Sequence, residues 1–425
     1  MKLAFITPRY GADLIAGPEH ACRLLAEHTG HRHDIDVLTT CARDSRTWKN
    51  EYPEGPDRVR GVRVRRFPVT ERDPDPSALS RLAARLLAEP HSRAEELDWV
   101  RRRGPWAPGL LDHLKRQHRN YDALVFFGLN TVTTVFGMAT APEHSVLFPH
   151  LELKATLRLG LWAELLLMPR ALGLLSTSER RLLHTFVHVQ PHHEELVGIG
   201  VEPSPQQAYP RHQQDPSDVI PVEEDVPGEA EAMTEESYLA GRGMPFRRRH
   251  RLYGPIALYG GRVEPDNGCQ EMLEYFDGYA STDGDVSLVL MGVKMMRVPD
   301  EPYLRQAGML PERERMIAFE AADLTIAPSP DDLMAQAVLE SMAVGTPVLA
   351  SARNAAAVAH CRRANGGLYY ENREEFVEML RLIARDPQLR ERLGEAGRRY
   401  VDQHYRWDAV LTRFERLLGR IKPAR

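Results

Sequence analysis

The sequence predicts an α/β protein built from two doubly wound parallel-sheet halves. Three observations carry that prediction. A β-loop-α-β alternation starts at Lys2, and the same alternation restarts at Pro255. Between them, from 203 to 244, the chain is rich in Pro, Glu, Asp and Gln and has almost no apolar periodicity. Alternating strands and helices imply a parallel sheet covered on both faces, whereas a long aperiodic stretch reads as an insertion at a domain boundary. The 425 residues leave room for two domains, each of about 200 residues with its own core.

In the first half, Lys2 to Thr7 reads as a strand, Pro8 to Gly17 as a loop, and a helix starts near Pro18, since proline suits a first helical turn. Asp34 to Thr40 and Gly61 to Phe67 follow as strands. Residues 75 to 118 read as helical, with a break at Gly104-Pro105-Trp106. Tyr121 to Phe127 and Ser145 to Phe148 resume the strands, Leu151 to Pro169 reads as a helix, and Ala171 to Ser176 is a further strand. Val187 to Gly200 closes this half.

The second half opens with the strand Pro255 to Tyr259, the loop Gly260 to Gly268, and a helix from Cys269. Val286 to Met291 is the next strand, and 292 to 316 form an irregular link with a short strand. Ile317 to Ser351 reads as helix, strand (Leu324 to Ala327), loop, helix and strand (Pro347 to Ala350). Gly367 to Tyr370 is the last strand, and helices fill the rest. After Tyr405-Arg406-Trp407, the residues Val410, Leu411, Phe414, Leu417 and Leu418 form an apolar stripe that needs a surface to pack on.

The formal net charge is -5 and the pI about 6.4, which excludes a general nucleic-acid-binding surface. The clusters Arg101 to Arg103 and Arg247 to Arg249 read as solvated helix faces. Four cysteines lie far apart without metal-ligand spacing, a pattern of reducing compartments. The opening MKLAFITPRY reads as a strand, not a signal peptide. The apolar run Leu159 to Leu167 contains Glu164 and stops at Pro169, too short to span a bilayer. The expectation is a cytoplasmic protein without stable membrane insertion.

Several loops carry chemistry. Gly11 and Gly17 lie in the first βα loop, where glycine permits close approach of a ligand and the following helix offers free amides. Taken alone, two glycines in a βα loop are commonly only turn chemistry. Arg262, at the end of a strand in Gly260-Gly261-Arg262, suits a diphosphate, although Glu264 or Asp266 would also pair with it. Asp332 and Glu340 stand eight positions apart, which on one helix is about 12 Å with a common face. A solvated face and a pair of hydroxyl-binding carboxylates both fit that spacing.

Taken together, Gly260-Gly261-Arg262 with Gly268, Asp332 through Glu340, and Gly345-Thr346-Pro347-Val348 resemble the donor half of the retaining GT-B glycosyltransferases of family 4, the glycogen synthase-like or group 1 type. Ala16-Gly17-Pro18-Glu19, the stretch Cys361 to Tyr370 and the helix after Trp407 extend the resemblance over nearly the whole chain outside 203 to 244. It implies a GT-B fold of two Rossmann-like domains facing a cleft, with a C-terminal helix crossing back. The expected boundaries are 1–202 for the acceptor domain, 203–244 for the insertion, 245–405 for the nucleotide-sugar domain and 406–425 for the crossing helix.

The resemblance also implies roles. Glu340 would bind ribose hydroxyls, Asp332 the hydroxyls of the transferred sugar, and the Leu333 and Met334 amides the sugar or phosphates. Arg262 would clamp the diphosphate, with Gly261 and Asn267 in the same loop and Gly17 approaching from the first domain. His150 would lie near the donor sugar, and Arg262, Asp332 and His150 are the catalytic candidates. Trp106, Asn130 and Thr131 are acceptor-side candidates. Two positions depart from the family pattern: Asn267 stands in place of a lysine and Asp332 in place of a glutamate. The implied reaction is a retaining, metal-independent transfer from a UDP- or GDP-sugar to a small soluble acceptor, with no cofactor beyond the donor. A pseudo-glycosyltransferase or another GT-B enzyme with an altered donor site, and a catalytically weak GT-B scaffold or binding protein, are the competing readings. Whether the protein is a homodimer is left open.

Overall fold

The computed structural model describes residues 1–14, 17–70, 76–152, 154–202 and 243–421. The acidic insertion expected over 203–244 lies outside them except for its last two positions. The chain divides into two compact units, Met1–Gly200 with Trp407–Arg425, and Val201–Arg406.

The first unit is an eight-stranded sheet: β1 (Lys2–Ile6), β2 (Asp34–Thr40), β3 (Gly55–Val59), β4 (Val62–Phe67), β5 (Ala123–Phe127), β6 (Ser145–Phe148), β7 (Ala171–Leu174) and β8 (Glu194–Leu196). Their spatial order is β3-β4-β2-β1-β5-β6-β7-β8. All pairs are parallel except β3 with β4. The central strands are buried along nearly their whole length, as a sheet covered on both faces requires. The winding reverses at β1, which pairs with β2 on one side and β5 on the other.

The second unit is a six-stranded parallel sheet: β9 (Ile256–Gly260), β10 (Ser287–Met291), β11 (Leu304–Gly308), β12 (Leu324–Ala327), β13 (Val348–Ser351) and β14 (Gly367–Tyr370). Its order, β11-β10-β9-β12-β13-β14, reverses between β9 and β12. One core cluster centred on Phe319, Met342 and Val348 and another centred on Phe276, Leu288 and Phe376 cover its faces.

The terminal helix Trp407–Leu418 belongs to the first unit. Its apolar stripe is buried, with the Phe414 ring 6.0 Å from Phe5 in an edge contact. The Trp407 indole stacks on His28 at 3.8 Å. Gly200 leaves room for that indole, since a Cβ there would fall 2.3 Å from the ring.

Several expectations need correction. The antiparallel strand Gly55–Val59 was not anticipated. It is a polar edge strand that alternates exposed and half-buried positions, so it lacks a hydrophobic signal. The helix expected over Leu151 to Pro169 is a 3₁₀ turn, Ala155–Arg158, followed by a helix over Gly160–Leu167. The buried Glu96 carboxylate accepts from the Gly160 N–H at 3.2 Å and the Leu161 N–H at 2.9 Å, which sets where that helix begins. The helix Met244–Arg249 was also missed. Each arginine cluster is exposed at two of its three positions, as a solvated face requires, but Arg103 and Arg247 are half-buried. Arg247 ties this helix to Asp323 at 2.9 Å and to the Ala321 carbonyl at 3.0 Å.

His360, on the helix Ala355–Ala364, is buried beside Tyr405 with its Nδ1 3.1 Å from the Tyr400 hydroxyl. Burial, reinforced by Arg363, pushes its pKa down to about 4. A histidine held neutral in the fold contributes stability that is present above its unfolded pKa and lost as pH falls. That unfolded value is about 6.5, so the loss runs from there to about 4 and amounts to about 3 kcal/mol. Urea midpoints of the second unit should therefore fall more between pH 7 and pH 4 for the native chain than for His360→Phe. Equal slopes for the two proteins would remove His360 as the cause.

Candidate active site

In open parallel sheets, ligands bind beyond the carboxyl ends of the strands where the winding reverses. In the second unit that edge is formed by the loops after β9 and β12. The β9 loop is held at one atom. The Arg262 carbonyl accepts from the Tyr259 hydroxyl at 2.8 Å and from the Asn267 side-chain amide at 2.9 Å, with the Cys269 thiol at 3.8 Å. Gly268 closes the loop with φ +71°, and a Cβ there would sit 2.6 Å from the Pro328 carbonyl of the β12 loop. The two loops are thus packed backbone to backbone. The Gly261 N–H donates to the Met291 carbonyl at 2.9 Å, so this amide serves the sheet. The Arg262 side chain is half exposed and pairs with Glu264 at 2.7 Å, the ion pair that the sequence left open.

Asp332 and Glu340 do not share a helix, as their spacing had implied. The helix spans Gln336–Ala343, and Ala335 before it adopts a left-handed conformation, φ 45° and ψ 40°. Asp332 lies in the preceding turn, where its Oδ1 accepts the Ala335 N–H at 3.0 Å. Among the described residues, the N–H groups of Leu333 and Met334 donate to no protein acceptor. Glu340 is buried, and its Oε1 accepts from Arg315 and from Gln336 Nε2, the latter at 3.0 Å. Burial pushes the Glu340 carboxyl up, and Arg315 opposes that rise.

The first unit carries its own cavity, about 340 Å³, at the corresponding edge of β1 and β5. Pro8 and Arg9 after β1, Gly128 to Thr131 after β5, and His150 to Glu152 after β6 line it, with Trp48 and Arg103 on a further wall. Arg9 pairs with Glu19 at 2.8 Å. His150 has φ 52°, its Nε2 lies 3.7 Å from Glu152, and its buried Nδ1 has no partner. Burial pushes the Glu152 carboxyl up, but Lys154, His150 and Arg103 outweigh it and hold the group below its ordinary range. Beneath this loop the buried Glu179 accepts the Leu151 N–H at 2.9 Å and the Leu175 N–H at 2.6 Å. Burial raises the Glu179 pKa in spite of those donors.

Residues 245–400 match the family model of glycosyl transferases group 1. The whole chain superposes on GT-B structures. Sucrose-phosphate synthase from Thermosynechococcus elongatus matches with a TM-score of 0.66 at 15% identity, covering 98% of each chain. HepE of Anabaena, in complex with UDP and glucose, matches with 0.66 at 14% identity over 99% of each. An E. coli structure described as trehalose-6-phosphate bound with UDP-2-fluoro glucose matches with 0.65 at 13% identity over 100% of each. Residues 245–400 thus carry a group 1 glycosyl transferase domain, and the chain has the GT-B fold.

Within this fold, Gly261, Arg262, Asn267, Asp332, Leu333, Met334 and Glu340 belong to the second unit, on the loops after β9 and β12 and the helix that follows. His150, Asn130 and Thr131 line the cavity of the first unit. Trp106 does not line it. Its ring meets Phe136 edge-on at 5.6 Å and carries the Arg101 guanidinium at 4.5 Å. Gly17, φ +75°, begins the helix Gly17–Thr29, whose Pro18 and Glu19 reach the cavity. Arg9, Glu152, Glu179 and Arg315 went unread in the sequence, and Arg103 was read only as part of a solvated face. Their roles arise from contacts across the fold, and no local motif marks them. No helix among the described residues is long and apolar enough to cross a membrane.

The packing at Gly268 makes a direct prediction. In Gly268→Ala, a left-handed backbone costs about 1–2 kcal/mol before any clash. The displaced Pro328 carbonyl adds to that, so the melting temperature should fall by roughly 4 °C or more. Unchanged melting would mean that the two loops do not meet as described.

Proposed function

We propose that this glycosyltransferase moves a sugar from a nucleoside diphosphate sugar, UDP or GDP, to a small soluble acceptor in the cytoplasm. The proposed reaction retains the anomeric configuration, as in family 4, and relies on protein charges rather than a metal. The observation that carries the reading is the buried Glu340, on the helix after the β12 loop that packs against the Arg262 loop at the reversal point of a group 1 domain. Glu340 Oε1 is taken by Arg315 and Gln336, and Oε2 accepts no donor among the described residues, which suits a ribose hydroxyl. The unpaired Leu333 and Met334 amides suit phosphate or sugar oxygens.

In the proposed step the acceptor hydroxyl forms its bond to the anomeric carbon on the face from which the diphosphate departs, and its proton passes to the leaving phosphate oxygen. Charge builds on that oxygen as the old bond breaks, so donors fixed beforehand supply most of the stabilisation. Arg262 is the proposed donor in the second unit, released from Glu264 by the stronger claim of a diphosphate. His150 is the proposed contact on the first unit.

One observation favours a second reading, a donor-binding protein with weak turnover. Asn267 spends its amide on the Arg262 carbonyl, where the family lysine would reach the ligand.

UDP or GDP should raise the melting temperature of the full chain, since a ligand that binds only the folded state stabilises it by mass action. Absence of a shift with any nucleoside diphosphate would sink the transferase reading. Arg262→Ala should lower kcat/KM by roughly 10- to 100-fold, matching a charged hydrogen bond of about 1.5–3 kcal/mol. A large gain in turnover in Asn267→Lys would favour the weak-turnover reading, whereas a loss would mark Asn267 as part of a reshaped, working loop.

A further inference from the structure

We propose that the cavity at the β1 and β5 edge is a subsite for an anionic group on the acceptor, a phosphate or a carboxylate, with Arg103 as its principal contact. The inference rests on the transferase reading only for the word acceptor; the anion site stands on its own observations.

Arg103 ends the helix Arg93–Arg103 and faces the cavity. The buried Arg23 and Arg66 and the half-buried Arg315 have carboxylate partners: Arg23 with Glu27, Arg66 with Asp57, Arg315 with Glu340. Arg9, which shares the cavity, pairs with Glu19. Arg103 has no carboxylate within ion-pair distance among the described residues. Its nearest acidic neighbour, Glu152, is already engaged by Lys154 and lies beside His150. Three permanent cations, Arg9, Arg103 and Lys154, face two carboxylates, Glu19 and Glu152, which leaves one positive charge in excess. Burial lowers the Arg103 pKa, and the attraction of Glu152 offsets that fall only in part.

The residue is also held in place. The Trp48 indole N–H donates to the Arg103 carbonyl at 2.9 Å, and the guanidinium lies 5.6 Å from the Trp99 ring centre. A half-buried guanidinium on a fixed backbone binds phosphate or carboxylate through paired hydrogen bonds with little further ordering. The Asn130 side chain, which has no protein partner among the described residues, and the unpartnered His150 Nδ1 supply neighbouring polar contacts.

A structural arginine and a ligand-binding one respond oppositely to removal. Breaking a buried ion pair destabilises, whereas deleting an uncompensated charge does not. The test uses the full chain, Arg103→Leu and Arg103→Gln, melted in inorganic phosphate, in acetate and in chloride of matched ionic strength, each with and without saturating UDP. Expected are melting temperatures of both variants in chloride at or above the native value. The native chain should gain several degrees over chloride in phosphate or in acetate, and both variants should lose most of that gain. A gain confined to phosphate assigns a phosphorylated acceptor, and one confined to acetate a carboxylated acceptor. The shift with UDP should be the same in all three proteins. Variants that melt well below the native chain, or that keep the full anion-specific gain, overturn the proposal. An anion gain that depends on Arg103 without any UDP shift would leave the subsite standing and remove the donor reading.

Discussion

Parallel pairing is the constraint on which both units depend. Parallel neighbours must be joined by a crossover, so all the parallel strands of a sheet end on the same edge. Where the winding reverses, at β1 and β5 and at β9 and β12, two adjacent loops diverge and leave an opening. The Arg262 loop and the Asp332 turn share an edge for that reason, although about 70 residues separate them. The cavity holding Arg103, Asn130 and His150 arises the same way in the first unit.

Within each opening, polar groups are fixed by the backbone as much as by one another. The Arg262 carbonyl gathers a hydroxyl, an amide and a thiol, and this fixes where the arginine stands before any ligand arrives. Each such bond contributes only about 1 kcal/mol, but together they stiffen a loop of non-repetitive structure. Glu179 does the same beneath His150, and Glu96 at the start of the helix Gly160–Leu167. The departure at position 267 becomes intelligible here. Asparagine is of the length to donate to the loop's own carbonyl, whereas a lysine's longer stem carries its ammonium beyond that carbonyl.

Much of this architecture was legible in the sequence because buried parallel strands such as Ala123–Phe127 and Ile256–Gly260 are short apolar runs followed by glycine. The family-bearing loops were legible for the same reason: glycine and arginine at a strand end are local features. What escaped depends on tertiary context. Gly55–Val59 pairs only on one side and carries polar residues, so no hydrophobic pattern announces it. The eight-residue spacing put Asp332 and Glu340 on one helix, yet Ala335 sits in a left-handed turn between them. Arg103 was read as one of three surface arginines. Only the fold separates it from Arg101, stacked on Trp106, and Arg102, paired with Asp98.

The scattered cysteines acquire a use from where the fold puts them. All four are free and buried, Cys22 and Cys41 in the first unit, Cys269 and Cys361 in the second. Burial raises each thiol's pKa, so the reactive thiolate is scarce while its unit is folded. Each unit therefore carries two internal labels that become reactive only on opening. The order in which they are alkylated reports which half of the molecule gives way first, without any added probe.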